Sequence, residues 1–182
     1  MQITVRPNTY IYLCMLLLLI PLPWLMAWLL AISFHEFCHW CAVRLFGARI
    51  RSLTVGLGGA VMECDALSYK RALFSVLCGP FGGFLLVLLG RWMPRTAVCS
   101  WFLSVYNLLP LMPLDGGRAL HLLIGRYQIF YRIEKLALCL LTVGAVYMTF
   151  WLRFGIFPLA VMGFLWIKNR NSPCKESICR VQ

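Results

Sequence analysis

The chain has 182 residues, room for one domain, and 62% hydrophobic content, 13% charged residues and a mean hydropathy of +0.81 exclude an ordinary soluble globule. Its formal net charge of +11 is carried by short basic clusters between apolar segments. That is how loops of membrane proteins look, and it argues against a nucleic-acid partner. The nine cysteines suggest no disulfide framework, because Cys14, Cys38, Cys41, Cys78, Cys99 and Cys139 fall within apolar stretches, where a small buried hydrophobe is the expected role.

The expected architecture is an all-α polytopic membrane protein, one membrane-embedded core over residues 1–182 with a short polar tail at 168–182. Arg6 precedes an apolar stretch, but no small-residue cleavage site follows, so the N-terminal segment is expected to stay. Tyr10 to Ile20 is a first apolar segment, short for a span of roughly 17 to 25 residues. Pro21 and Pro23 break it, and Leu22 to Phe46 forms a second helix. From Tyr10 to Phe34 there is no charged residue, and His35-Glu36-Phe37-Cys38-His39 follows at once.

On a helix His35 and His39 share a face, where two imidazoles can bind one Zn²⁺, and Glu36 can serve as general base toward a water. Setting such groups beside hydrocarbon is costly, so an intramembrane ionisable cluster marks a functional site by default. Cys38 and Cys41 overlap this motif as C-x-x-C, but no strand precedes them as a redox motif requires, and they are read as packing residues.

Arg49 to Cys64 reads as two short strands about Gly58-Gly59, a membrane-associated β-hairpin. It offers a substrate either a strand edge for β-augmentation or only a re-entrant loop. Further spans are expected at Ser68–Leu89, Ala97–Ile124, Ile133–Trp151 and Phe154–Ile167, about six in all. In the fourth, Asn107, Pro110, Pro113 and Asp115-Gly116-Gly117 break the helix inside an apolar segment. Irregular backbone at that depth is tolerated only where it is buried in protein or lines a cavity. With the N-terminus inside, all of the 17 Lys and Arg except Arg91, Arg95 and Arg153 fall on the cytoplasmic side, which predicts cytoplasmic N- and C-termini.

Hydrolytic zinc takes three protein ligands and leaves a place for water. The remaining candidates are His121, Glu63, Asp65, Asp115, Glu134 and Glu176, and Asp115 stands out for its place beside the helix break. The alternative role for it is a cap for the following helix or a partner for Arg118. Gly79 and Gly83 have the small-xxx-small spacing of a helix-packing face.

His35 to His39, Asn107 to Gly117, and Gly79-Pro80 with Gly82-Gly83 together resemble the pattern of the site-2 proteases, intramembrane zinc metalloproteases. The wording Asn-Leu-Leu-Pro and Pro-Leu-Asp-Gly-Gly is similar to the branch that processes a pro-sigma factor during sporulation, without that branch's regulatory domain. The resemblance implies one zinc per chain with His35, His39 and Asp115 as ligands and Glu36 as the catalytic base. It associates Asn107 and Pro113 with substrate binding, although the Asn107 amide can equally satisfy carbonyls freed by the helix break. The implied partners are the lipid bilayer, a membrane-protein or membrane-tethered substrate, such as a sigma or anti-sigma factor, and regulatory membrane proteins. The competing class is a transporter or metal-handling protein that uses the same residues without hydrolysis.

Overall fold

A computed structural model of the chain describes residues 2–5, 14, 17–18, 20–56, 59–151 and 156–170. It is mostly helical and divides into two compact units, Met1–Asn107 and Leu108–Gln182. The short segment expected at Tyr10–Ile20 falls largely outside the described residues, as does the tail beyond Arg170.

The first unit holds strand β1 (Gln2–Val5), helix α1 (Leu22–Leu45), strands β2 (Ile50–Gly56) and β3 (Gly59–Cys64), and helices α2 (Tyr69–Leu88) and α3 (Pro94–Asn107). Helix α1 starts where the sequence says it must, with Pro21 as N-cap and Pro23 in the first turn, where a missing amide costs nothing. It stops at Gly47, whose φ of 75° few other residues adopt. There the amides of Gly47 and Ala48 turn back onto the carbonyls of Arg44 and Val43.

The expected hairpin is present, β2 running antiparallel to β3 from Ile50↔Cys64 to Gly56↔Gly59, with an irregularity between Ile50 and Ser52. Residues 57 and 58 at its tip lie outside the described set. It is also larger than a hairpin: β1 adds in parallel to β2, Gln2↔Ser52 through Val5↔Val55, giving a three-stranded sheet in the order β1-β2-β3. At its base Arg51 donates from Nε to Asp65 at 2.8 Å, and the Asp65 amide bonds the Arg49 carbonyl.

Helices α1, α2 and α3 pack on one another. Ala27 and Ala31 of α1 meet Cys99 and Leu103 of α3, flanked by Trp28 and Ile32. Between α2 and α3 small residues bring the backbones close, Ser100 Oγ donating to the Gly83 carbonyl at 2.8 Å. A Cβ at Gly83 would overlap Ser104 Oγ, so the expectation of a packing face holds for this glycine.

The second unit contains α4 (Asp115–Ile124), α5 (Tyr127–Phe150) and α6 (Phe157–Arg170). What reads in sequence as one interrupted fourth span is two separate helices, α3 ending at Asn107 and α4 starting at Asp115. Gly125, at φ 62°, ends α4 and donates to the His121 carbonyl. Helix α5 starts six residues before the expected Ile133 and buries a stripe of Phe130, Glu134, Leu138 and Ala145. Trp166 of α6 donates to Thr142 Oγ1 of α5 at 3.2 Å.

Among the described residues three helices, Leu22–Leu45, Tyr69–Arg91 and Tyr127–Phe150, are long and apolar enough to cross a membrane. Large apolar side chains such as Leu88, Leu140, Val143 and Phe150 are exposed along them, as lipid-facing residues would be. The chain is an integral membrane protein by this criterion.

Candidate metal centre

Helix α1 carries His35, Glu36 and His39 on its C-terminal half. His35 is 3% exposed, and Glu36 and His39 are half-buried. The helical spacing does what it promises: the two Nε2 atoms converge to 3.2 Å. Two nitrogens on a tetrahedral Zn²⁺, each about 2.05 Å from the ion, stand about 3.3 Å apart. The pair therefore fits a zinc ion with almost no adjustment.

The orientation of His39 is set from outside α1. Its Nδ1–H donates to the Ser75 carbonyl oxygen on α2 at 2.8 Å, which directs Nε2 toward His35. Ser75 is itself held by a bond from its Oγ to the Ala72 carbonyl. One turn further along α2, Gly79 faces the two rings. A Cβ at this position would overlap His39 Nε2 and come within 2.8 Å of His35 Nε2, so the glycine makes the space the imidazoles occupy. The expected packing face thus has two functions, Gly83 against α3 and Gly79 against the histidines. Gly82 abuts Cys38, and a Cβ there would overlap its Sγ.

In the second unit, Leu108 to Leu114 forms an irregular turn ahead of α4. The Met112–Pro113 peptide is cis, and the amides of Leu111 and Leu114 bond the carbonyls of Leu109 and Leu111. Asp115 is the first residue of α4 and is 8% exposed. It is not the cap: that position is Leu114, and no side chain caps the helix. Gly116 and Gly117 press on the turn, since a Cβ on either would overlap the carbonyl of Leu108 or of Leu111. This close approach is the reason for glycine at both places.

Asn107 is the last residue of α3, and its Nδ2 donates to the Leu103 carbonyl, one turn back in the same helix, at 3.1 Å. His121 packs its ring edge-on to Phe130, and Asp65 pairs with Arg51. The Arg51 hydrogen bond holds the Asp65 carboxyl below the usual carboxylate range. Glu63 and Glu176 offer no described side chain. Sequence reasoning missed two groups, the Ser75 carbonyl and the acceptor role of Glu134, whose Oε1 accepts a hydrogen bond from the Met112 amide at 3.0 Å.

No family model and no curated protein matches the chain. Among solved structures it is similar to a site-2 protease from Methanocaldococcus jannaschii, with a TM-score of 0.65 and 18% identity over 93% of this chain and 89% of that one. At that identity the likeness shows a common fold.

Proposed function

We propose that this protein is an intramembrane zinc metalloprotease of the site-2 type, a multi-pass protein that hydrolyses a peptide bond in or near a transmembrane segment of another membrane protein. The observation that carries the reading is the His35–His39 pair, its Nε2 atoms 3.2 Å apart and one ring oriented by a backbone carbonyl. The shared fold with a site-2 protease supports it.

In this proposal His35, His39 and Asp115 hold one Zn²⁺. Two imidazoles and a carboxylate are the donor set of many hydrolytic zinc sites, which leave a fourth position open. The metal, when bound, acidifies a water and polarises the peptide carbonyl. Glu36, adjacent to His35 on α1, takes the proton from the attacking water on its carboxylate and delivers it to the leaving amine nitrogen. Asn107 and Pro113 contact the substrate; with one Nδ2 proton of Asn107 bonded to Leu103, its second N–H and its Oδ1 are the groups left for that contact. A helical substrate hides its carbonyls in i to i+4 bonds, so the segment that is cut must first unwind.

The product is proposed to be a freed regulator, such as a sigma or anti-sigma factor, and the sequence wording favours the sporulation branch. Orientation follows from the Lys and Arg bias, with both termini cytoplasmic. The test is co-expression with a panel of tagged membrane-tethered regulators, comparing wild type with Glu36→Gln. Cleavage by wild type alone, with zinc retained in both proteins, supports proteolysis. Equal cleavage by both sinks it, and zinc binding without any cleavage favours the metal-handling class.

A further inference from the structure

Glu134 is 1% exposed about two turns into a membrane-length helix, in an apolar stripe with Phe130 one turn before it and Leu138 one turn after. A buried acid in such a segment is costly and marks function by default. Its Oε1 accepts the amide proton of Met112, 22 residues earlier in the chain. That amide lies in the irregular turn immediately before Pro113, where no helix supplies it with a carbonyl, and an unpaired amide in hydrocarbon is unfavourable.

We propose that Glu134 is a positioning residue that sets the place of Asp115. The turn from Leu108 to Leu114 is gripped at two points. From α4, Gly116 and Gly117 press against the carbonyls of Leu108 and Leu111. From α5, the Glu134 carboxylate holds the Met112 amide. Asp115 follows Met112 by three residues and the intervening chain is stiff, with Pro113 in it and the Leu114 amide bonded to Leu111. Fixing Met112 therefore fixes where α4 begins, and with it the carboxylate on the first residue of that helix. A group that only filled a hydrogen-bonding need could be any small polar side chain. A glutamate reaching from a neighbouring helix instead ties the turn to α5.

The proposal rests on Asp115 being a zinc ligand, and its test separates the two ideas. Purified protein in lipid nanodiscs is compared as wild type, Glu134→Gln, which keeps an acceptor of the same length, Glu134→Asp, one methylene shorter, and Glu134→Leu. Two quantities are read: zinc affinity against a chelator series, and hydrogen exchange of the Leu111, Met112 and Leu114 amides in zinc-free protein. Glu134→Asp and Glu134→Leu are expected to lose about tenfold or more in zinc affinity and to exchange these amides faster, while Glu134→Gln stays within about threefold of wild type. Should the Leu variant fail to fold, the Asp and Gln pair decides. Wild-type zinc affinity in Glu134→Asp overturns the proposal with the protease reading intact. A wild type that binds no zinc, with amide exchange still dependent on residue 134, overturns both the ligand assignment and the positioning role built on it, and leaves only the Met112 contact.

Discussion

The Nε2 atoms of His35 and His39 stand 3.2 Å apart, within about 0.2 Å of the separation a tetrahedral zinc ion imposes on two imidazoles. Preorganisation of this kind means that little side-chain freedom is lost when the ion arrives. Either His35→Ala or His39→Ala is expected to abolish stoichiometric zinc in the purified protein, measured by elemental analysis. Zinc retained at one per chain in both variants would remove the pair from the metal centre.

Glu36→Gln separates chemistry from metal binding. The amide cannot take a proton from water, so the rate of substrate cleavage is expected to fall by on the order of 10² to 10⁴, the usual contribution of a general base. Zinc content should be unchanged. A loss of zinc together with activity would mean that Glu36 serves the metal and not the proton.

Gly79→Ala tests the cradle for the imidazoles. The added methyl would overlap His39 Nε2, so the rings or the α1–α2 spacing must shift. Overpacking of this kind costs about 1–3 kcal/mol, and a displacement near 1 Å at a reacting centre costs about 10²-fold in rate. Gly144→Ala on α5 is the control, because nothing lies within 4 Å of a Cβ there. Thermal stability and cleavage should both drop for the first variant and neither for the second.

Gly116→Ala strikes the turn before Asp115. Its methyl would meet the carbonyls of Leu108 and Leu109, and backbone cannot move aside as a flexible side chain can. Reduced zinc affinity in a protein that still folds is the expected outcome, and an unchanged affinity would show that the turn has slack.

The Arg51–Asp65 pair at the base of the sheet gives a pH dependence. The hydrogen bond from Arg51 lowers the Asp65 pKa below that of the unfolded chain, about 3.9. The contribution is therefore fully present above that value and is lost as pH falls through the lower folded-state pKa. Both side chains are well exposed, at 74% and 38%, so the effect on overall stability is small and screened by salt. Carboxyl titration by NMR should place Asp65 below about 3.9 in wild type and closer to it in Arg51→Gln. A midpoint at or above the unfolded value in wild type would contradict the pairing.

Much of this was legible in the residues because the signals are local. The prolines on either side of Leu22 and the glycine at Gly47 bracket α1, and the prolines and glycines from Pro110 to Gly117 announce the break before α4. The hairpin could be read from its own strand pattern, whereas the parallel pairing of Gln2–Val5 with Ser52–Val55 joins segments some fifty residues apart and leaves no periodic trace. The role of Glu134 was hidden for a similar reason. Sequence spacing shows which side chains share a helix face, but its partner is a backbone amide, and every residue except proline has one. Gly79 was read as a packing residue because a glycine that admits another helix and one that admits an imidazole look alike until the opposing side chain is seen.

The group that orients His39 is a main-chain carbonyl, and it belongs to Ser75 only by address. Any amino acid at position 75 carries a main-chain oxygen, so removing the side chain there does not by itself delete the acceptor. What constrains it is the path of α2 as a whole. The fragility of the centre is thus displaced from residue 75 to whatever changes the course of that helix, such as Pro80 inside it or the glycines through which it meets its neighbours.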